Sequence, residues 1–175
     1  MRELRALDDE IRVLHARASD LDTVLSIPEE AAQWLVSRDI DQWQPGSFSR
    51  RRIADRIERG EMYLAELGGR PVGTLALQWS DEEVWGNVPK DAGYVHGIAI
   101  RRSLAGKGLG RELLRWAENR AASSGKKYLR LDCIAGNRGL NEYYERAGFR
   151  RQGRARVWGL EVNLYEKRGG VNGAG

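Results

Sequence analysis

The spacing of hydrophobic residues changes period several times along the chain, and each change predicts a new element of secondary structure. The stretch IRVLH alternates apolar and polar residues, which predicts a first strand with Ile11 and Val13 on one face. Helical spacing follows in LDTVLSIPEEAAQWLVSRD, a helix that we expect to restart at Pro28 because proline is tolerated in a first turn. A short second helix is then expected after Ser49, which is a suitable cap.

The rest of the pattern predicts strands interrupted by two longer helices. EMYLAEL and VGTLALQW, joined by GGRP, indicate an antiparallel hairpin, and the polar loop SDEEVWGNVPKDAG leads to the strand YVHGIAI. A helix from about Leu109 to Ser124, the strand KYLRLDCIA, a helix capped by Asn137 and two strands around FRRQGR and VWGLEVNLYEK complete the order. The predicted fold class is therefore α+β, with a mixed, mainly antiparallel sheet of six to seven strands and helices on both faces.

Composition adds limits on the class of protein. The chain has 175 residues, 41% hydrophobic and 31% charged, which suits one globular domain, predicted over residues 1–168, and a flexible tail at residues 169–175. No apolar run is long enough to cross a membrane and the first residues are charged, so a cytoplasmic protein without membrane contact is expected. The net charge of +4 comes from basic residues interleaved with 25 acidic ones, so we expect no nucleic-acid partner. The single cysteine, Cys133, excludes an intramolecular disulfide and indicates a buried strand thiol, and no metal is expected.

The stretch IAIRRSLAGKGLGRELLRWA places three glycines directly before a predicted helix. Bare backbone N–H groups at a helix N-terminus, together with the helix dipole, favour a bound phosphate. A P-loop is excluded because Arg101 and Gly108 stand where its glycine and its serine or threonine belong. The dinucleotide fingerprint is excluded because Arg111 stands where its third glycine belongs.

A third pattern fits this region. From YVHGIAIRRSLAGKGLGRELLRWA through LRLDCIAGNRGLNEYYERAGF, the chain resembles the GNAT superfamily of N-acetyltransferases. The superfamily loop [Q/R]-x-x-G-x-[G/A] is matched at Gly108 and Gly110 and departs at Ala105. The resemblance implies a single N-acetyltransferase domain, acetyl-CoA as cosubstrate and central strands that splay apart. It also implies cosubstrate contacts from Ile98, Ala99, Ile100, Gly106, Lys107, Gly108, Leu109, Gly110, Arg111, Asn137 and Tyr144.

A base is required in such a reaction because only a neutral amine attacks a thioester. For an amine like lysine, with a pKa of about 10.4, roughly one molecule in 10³ is neutral at pH 7. Many members of the superfamily carry glutamate where Tyr94 aligns, so we favour His96, which strand alternation places on the same face as Tyr94 and Ile98. The alternative bases, acting through an ordered water, are Asp81, Glu82, Glu83 and Asp132.

A proton donor for the leaving thiolate is implied by the same resemblance. Tyr144 occupies the tyrosine position of Y-E-x-x-G-F, which in the superfamily faces the thiol sulfur. Its neighbour Tyr143 is expected to point about 100° away around the helix, into the core or another face. A backbone N–H near Ile98 is expected to stabilise the oxyanion of the reaction.

The acceptor is the least determined part of the prediction. Six tryptophans are many for this length, and Trp43, Trp79 and Trp85, together with Asp132, are the predicted acceptor-binding residues. Aromatic walls and the acidic run from residue 81 to residue 83 suit a cationic amine, although tryptophans also fill cores and acidic loops are often only solvated. The predicted function is transfer of the acetyl group of acetyl-CoA to a primary amine of a small molecule, by direct attack of the amine in a ternary complex. We expect the protein to be a monomer or a homodimer. The alternatives are acetylation of a protein N-terminus or lysine, and a non-catalytic CoA-binding module.

Overall fold

The computed structural model describes residues 10–40 and 42–169. Within this part of the chain, seven strands form one sheet in the order β1-β2-β3-β4-β5-β7-β6, and all neighbours are antiparallel except β4 and β5. The strands are β1 Ile11–His15, β2 Met62–Leu67, β3 Arg70–Gln78, β4 Ala92–Ile100, β5 Tyr128–Ile134, β6 Arg150–Val157 and β7 Leu160–Arg168. The helices are α1 Leu21–Ser37, α2 Arg50–Glu58, α3 Glu82–Trp85, α4 Leu109–Ser123 and α5 Arg138–Arg146. The predicted α+β fold is confirmed.

Helices cover both faces of the sheet. On one face, α1 and α2 bury Val24, Ile27 and Ile53 against β2 and β3. On the other face, α4 packs Leu113 and Leu114 into a larger cluster that also receives the aromatic residues of α5. Two cores therefore lie back to back, with the sheet between them.

Two local expectations need correction. Helix α1 is continuous through Pro28 and does not restart there, because Pro28 is buried together with Val24 and Ile27 and this packing offsets the lost backbone hydrogen bond. The loop SDEEVWGNVPKDAG contains the short helix α3, whose Val84 is buried against Val157 and Val162. None of the helices in the described residues is long and apolar enough to span a membrane.

Several turn signals are confirmed. Ser49 accepts a hydrogen bond from the backbone N–H of Arg52 at 3.2 Å and caps α2. The hairpin of β2 and β3 turns through two glycines that both have positive φ, as a tight two-residue connection requires. Gly169 still donates its N–H to Lys127 O at 2.8 Å, and the rest of the predicted tail, residues 170–175, lies outside the described residues.

The central strands β4 and β5 separate along their length. Their parallel pairing covers only Ala92–Tyr94 opposite Tyr128–Arg130, although β4 continues to Ile100 and β5 to Ile134. The facing edges of both strands beyond this point are therefore free of sheet pairing. The splay that the resemblance implies is present.

A β-bulge interrupts β4 just beyond the point of separation. Ala76 of β3 pairs with His96 and Thr74 pairs with Ala99, so one residue of β3 lies opposite two of β4, Gly97 and Ile98. Gly97 has φ +61°, a left-handed conformation that glycine adopts without strain.

The bulge reverses which face each residue of β4 occupies. Before it, Val95 belongs to the core with α4, so His96 faces the side of α1 and α2. After it, Ile98 packs on the core with α4, and Ala99 belongs to the core with α1. The expectation that His96 and Ile98 share a face is therefore wrong, because it assumed uninterrupted alternation.

A buried arginine holds β4 and β5 together where they begin to separate. Arg130 of β5 donates from Nη1 to Tyr94 Oη at 2.8 Å and from Nε to Glu166 Oε2 at 2.8 Å. Its guanidinium also lies 5.2 Å from the centre of the Trp85 ring. Burial lowers the pKa of Arg130, but hydrogen bonds to Glu166 and Tyr94 raise it above its usual value, so the charge is well compensated.

We expect Gly97→Ala to destabilise the protein by about 1–2 kcal/mol, the cost of holding a residue with a Cβ in the left-handed region. A Cβ at this position would meet no atom within 4 Å, so the change tests backbone strain alone. The measurement is urea unfolding. The matched control is Gly136→Ala, where the added Cβ also meets open space and φ is not left-handed; it should be neutral or slightly stabilising. Equal effects of the two changes would contradict the strain argument.

Glu166→Gln should lower the free energy of unfolding by about 2–3 kcal/mol, because it removes the carboxylate that is hydrogen-bonded to the buried Arg130 at 2.8 Å and leaves only the more distant Asp91, at 3.6 Å, among the described carboxylates. Glu142→Gln is the control, since Glu142 pairs with Arg138 at 3.0 Å in an exposed i,i+4 bridge and should cost under about 0.5 kcal/mol. Denaturant unfolding of the two variants gives the comparison. A loss at Glu166 no larger than that at Glu142 would show that the buried pair is not a structural anchor.

Candidate active site

A cavity of about 680 Å³ opens where β4 and β5 separate. Its walls come from α1, the segment 42–49, α2, the loop before α3, the facing parts of β4 and β5, α5 and the β6–β7 turn. The titratable and aromatic side chains that line it include Asp81, His96, Asp132, Tyr144, Trp43 and Arg56. The splay of the sheet therefore leads directly into a polar site.

His96 lies between two carboxylates in this cavity. Its Nε2 is 2.9 Å from Asp81 Oδ2, and its Nδ1 is 3.8 Å from Asp132 Oδ1. The Asp81 side chain is 8% exposed, and its Oδ2 has no hydrogen-bond donor nearby among the described residues apart from the His96 ring. Asp81 comes from the loop before α3 and Asp132 from the middle of β5, so the cluster is assembled from three separate segments.

The two carboxylates affect one another through this cluster. Burial raises the pKa of Asp132, the His96 ring lowers it and Asp81 raises it, with a net upward direction. Asp132 therefore holds a proton more readily than an ordinary aspartate.

Of the other carboxylates considered from sequence, Glu83 lines the cavity but pairs with Arg52 at 3.1 Å, and Glu82 does not line the cavity.

Tyr144 projects from α5 into the same cavity. Its ring packs against Phe149 and Tyr165, with ring centres 5.9 and 6.2 Å away, and its hydroxyl has no hydrogen-bond partner among the described residues. Burial, and then the neighbouring Cys133, Tyr143 and Asp132, raise the pKa of Tyr144 well above its usual value. The phenol is neutral and its O–H is available as a donor.

A buried polar network that sequence reasoning missed fixes the orientation of α5. Asn141 Oδ1 accepts hydrogen bonds from Tyr165 Oη at 2.8 Å, Asn163 Nδ2 at 2.7 Å and Cys133 Sγ at 3.2 Å. Its Nδ2 donates to Ile134 O at 3.0 Å and also back into α5. A lone asparagine in a helix carries no sequence signal for this role. Since these contacts tie α5 to β5 and β7, they set the direction in which Tyr144 points.

The single cysteine is buried, as the sequence indicates. Burial, with Asp132 and Glu145, raises the pKa of Cys133 to about 12, so it remains a neutral thiol.

The glycine loop forms an open cradle at the start of α4. Gly106 and Gly108 have φ +76° and +81°, and a Cβ at either would meet no atom within 4 Å. Gly108 is the N-cap residue of α4 and has no side chain, so it cannot accept hydrogen bonds from the first backbone N–H groups of the helix through a side-chain oxygen. Leu109 is buried below the loop, while Lys107 is exposed. Unpaired donors, open space and nearby cations fit the diphosphate of a coenzyme A carrier.

Tyr143 contacts this cradle, which the sequence does not indicate. It packs at the edge of the core with α4, and its hydroxyl lies 3.0 Å from where a Cβ on Gly110 would stand. Burial raises the pKa of Tyr143 and the positive charge of Arg111 lowers it, with a net upward direction. Gly110, the last position of the loop motif, must therefore be small to accommodate this hydroxyl.

Asn137 caps α5 as predicted and makes a second contact. Its Oδ1 accepts from the N–H of Leu140 at 3.1 Å, and its Nδ2 donates to Gln42 Oε1 at 2.6 Å. The second bond joins the segment 42–49 to the start of α5. Both ends of the amide are thus engaged within the protein.

Only one of the three tryptophans predicted to bind the acceptor lines the cavity. Trp43 lines the cavity and packs edge-on against Phe48, with ring centres 5.8 Å apart. Trp79 and Trp85 do not line it: Trp79 contacts Lys126, and Trp85 packs on Tyr94 beside the buried arginine. Instead, Phe48 and the exposed Trp158 of the β6–β7 turn complete the aromatic lining. No periodic signal in the sequence marks either of these two residues.

Comparison with known proteins agrees with this geometry. A model of the acetyltransferase (GNAT) family matches residues 28–149, more than half of the chain. The uncharacterized N-acetyltransferase YesJ of Bacillus subtilis (strain 168) is 30% identical over 139 residues, which are 74% of this chain and 76% of that protein.

Solved structures share the fold. An acetyltransferase of the GNAT family from Listeria monocytogenes 4b F2365 superposes with a TM-score of 0.79 at 28% identity, covering 94% of this chain and 98% of that one. The yncA protein of Salmonella typhimurium, solved with acetyl-CoA, gives a TM-score of 0.67 at 15% identity, covering 95% and 98%. The splayed sheet, the glycine cradle, the matched family model and the similarity to YesJ lead to one conclusion: the chain belongs to the GNAT family of acetyltransferases.

Proposed function

We propose that this acetyltransferase moves the acetyl group of acetyl-CoA to a primary amine of a small molecule, by direct attack in a ternary complex. The observation that carries the proposal is the position of His96, between Asp81 and Asp132 in the cavity where the sheet splays. The proposed base thus lies next to the edge of β4 that β5 leaves unpaired. Bound acetyl-CoA supplies the acetyl group as a thioester.

The cosubstrate would be held by two parts of the chain. The bare N–H groups and cations of residues 106–111 would bind its diphosphate. The free edge of β4 at residues 98–100 offers backbone donors and acceptors to the pantetheine arm, since β5 does not pair there. Tyr144 and the start of α5 at Asn137 border the same channel, and a backbone N–H near Ile98 would face the developing oxyanion.

His96 is the proposed base. With Nε2 facing the Asp81 carboxylate at 2.9 Å, the favoured neutral tautomer carries its proton on Nε2 and leaves the Nδ1 lone pair free. Asp81 is then a positioning residue, because it fixes the ring and its tautomer without touching the amine. Asp132, on the Nδ1 side, would attract the cationic amine and stabilise the ring once it has accepted the proton.

Tyr144 is the proposed donor to the leaving sulfur. Its raised pKa makes complete transfer to a thiolate, whose conjugate thiol has a pKa of about 8.5, more uphill than for an ordinary phenol. A strong hydrogen bond from the neutral hydroxyl to the sulfur is therefore the better description of its role. The absence of any other partner among the described residues leaves the O–H free for that bond.

The enclosure of the cavity supports a small acceptor. The segment 42–49 is tied to α5 through Gln42 and to α1 by Glu29, whose two oxygens accept from the N–H of Gly46 at 3.0 Å each. Trp158 of the β6–β7 turn lines the cavity as well, with the Arg52 guanidinium 4.9 Å from the centre of its ring. An extended peptide requires an open groove across the sheet, whereas these contacts wall off a pocket.

We expect Lys107→Glu and Arg111→Glu each to weaken coenzyme A binding about tenfold, and more at low salt, because each places a negative charge beside the diphosphate. Neither side chain forms an ion pair within the described residues, so the fold should be undisturbed. Calorimetry at two ionic strengths is the measurement. Arg115→Glu is the control, being exposed and one turn further along α4, and should bind nearly as the parent does. Equal affinities of all three variants would contradict the cradle.

His96→Gln should lower kcat/KM by about 10²- to 10⁴-fold and remove the acidic limb of its pH profile, after correction for titration of the acceptor amine itself. Asp132→Asn should retain that limb, because the proposed base is still present.

A different result would identify another base. Replacing His96 removes the influence that lowers the pKa of Asp132, so the carboxylate would titrate at still higher pH in His96→Gln. A limb retained in that variant, with a midpoint above the ordinary aspartate pKa of about 3.9, would assign the role of base to Asp132.

Coenzyme A binding that survives Tyr144→Phe, with no thiol release from the parent protein for any amine, would indicate a non-catalytic module.

A further inference from the structure

Helix α2 places an arginine without a partner in the cavity wall. Arg50 on this helix pairs with Asp22 at 2.7 Å, and Arg52 pairs with Glu83 at 3.1 Å and stacks 4.9 Å from the centre of the Trp158 ring. Arg56, one turn further, is half-buried and lines the cavity. Within residues 10–40 and 42–169, its guanidinium has no hydrogen bond, ion pair or aromatic contact.

The acidic groups of the cavity do not neutralise Arg56. Asp81 contacts His96, Asp132 lies on the other side of the same ring, and Glu83 is engaged by Arg52. Burial and the neighbouring Arg52 lower the pKa of Arg56, and the attraction of Glu61 and Asp81 does not compensate for them. A guanidinium remains charged throughout the physiological range, so a partly desolvated and unpaired positive charge lines the cavity.

This charge is not part of the diphosphate cradle. None of residues 106–111 lines the cavity that Arg56 lines, and α2 packs on the opposite face of the sheet from α4. Bound coenzyme would therefore place its phosphates elsewhere. The free guanidinium lines the same cavity as His96, and it is near enough to Asp81, the partner of His96, for their charges to interact.

We propose that the acceptor carries an anionic group in addition to its amine, and that Arg56 binds this group while the amine faces His96. The proposal rests on the N-acetyltransferase function proposed above and names the class of its substrate: an amino acid or a similarly zwitterionic amine. A carboxylate matches the planar fork of a guanidinium in two parallel hydrogen bonds, and a phosphate monoester offers the same oxygens. The cationic amine expected from the acidic run at residues 81–83 is retained and gains an anionic group, because Asp81 and Glu83 already contact His96 and Arg52 while the Arg56 guanidinium has no partner among the described residues.

The test is a thiol-release assay with matched acceptors. Amino acids with different distances between amine and carboxylate are each compared with their own carboxamide, and aminoalkyl phosphates with the corresponding amino alcohols. We expect the anionic member of the preferred pair to have a kcat/KM about 10- to 100-fold higher than its neutral partner, the value of one charge-assisted contact to a partly buried arginine.

The variant Arg56→Gln should reduce this ratio to within about threefold, mainly through KM. Arg56→Lys, which keeps the charge but not the fork, should give an intermediate ratio and serves if the glutamine variant does not fold. Arg51→Gln is the matched control, because Arg51 lies on the same helix, is exposed and does not line the cavity; its ratio should equal that of the parent. Coenzyme A calorimetry on each variant verifies the fold.

The outcomes separate this inference from the proposed function. Preference for carboxylates or for phosphates, lost in Arg56→Gln, supports the anion site and identifies the group. Neutral amines or diamines that react as well as the anionic ones, or a ratio unchanged in Arg56→Gln, overturn the anion site and leave the acetyltransferase function standing. Absence of thiol release with every amine, while coenzyme A still binds, overturns both.

Discussion

The separation of β4 from β5 after Tyr94 is the constraint on which the rest of the structure depends. A parallel pair that stops after three residues leaves two unsatisfied backbone edges facing one another, and such groups are costly unless a ligand or water pairs them. The protein tolerates this because Arg130 holds the two strands together at the last pair, with Tyr94 and Glu166 satisfying its guanidinium. The cavity and the free strand edge are consequences of that early end to pairing.

One extra residue in β4 then decides the chemistry of the site. Alternation with Val95 directs His96 toward the cavity, and the bulge at Gly97 then directs Ile98 to the core with α4 instead of to the face of His96. The resemblance to the family supplied the histidine as a candidate, but its partners come from elsewhere in the chain, Asp81 from a loop and Asp132 from β5. Tyr94 stands where the resemblance places a glutamate, and its hydroxyl accepts a hydrogen bond from Arg130 as part of the structural anchor. The base that we propose in its place is the histidine two residues later.

The charges around the cavity give the acceptor site its character. Of the acidic side chains that line the cavity, Asp81 and Asp132 flank His96 and Glu83 pairs with Arg52. The Arg56 guanidinium lines the same cavity and has no hydrogen-bonded or ion-paired acidic partner among the described residues. A cavity that appears acidic from its sequence therefore presents a free positive charge in three dimensions. The segment 42–49 and Trp158 line this cavity, and the small acceptor that we propose would contact both the guanidinium and the histidine.

The sequence by itself determined the order of elements, the capping residues Ser49 and Asn137, the glycine cradle and the family, because these depend on local periodicity, turn chemistry and a contiguous motif. A glycine inside a strand is a typical mark of a bulge, so Gly97 carried a signal for the reversal of faces. Only the tertiary structure decided which charges pair, which tryptophans reach the cavity and where Arg56 points. Those contacts join segments that are distant in the chain, and local spacing contains no information about the partner that a long side chain finds across the fold.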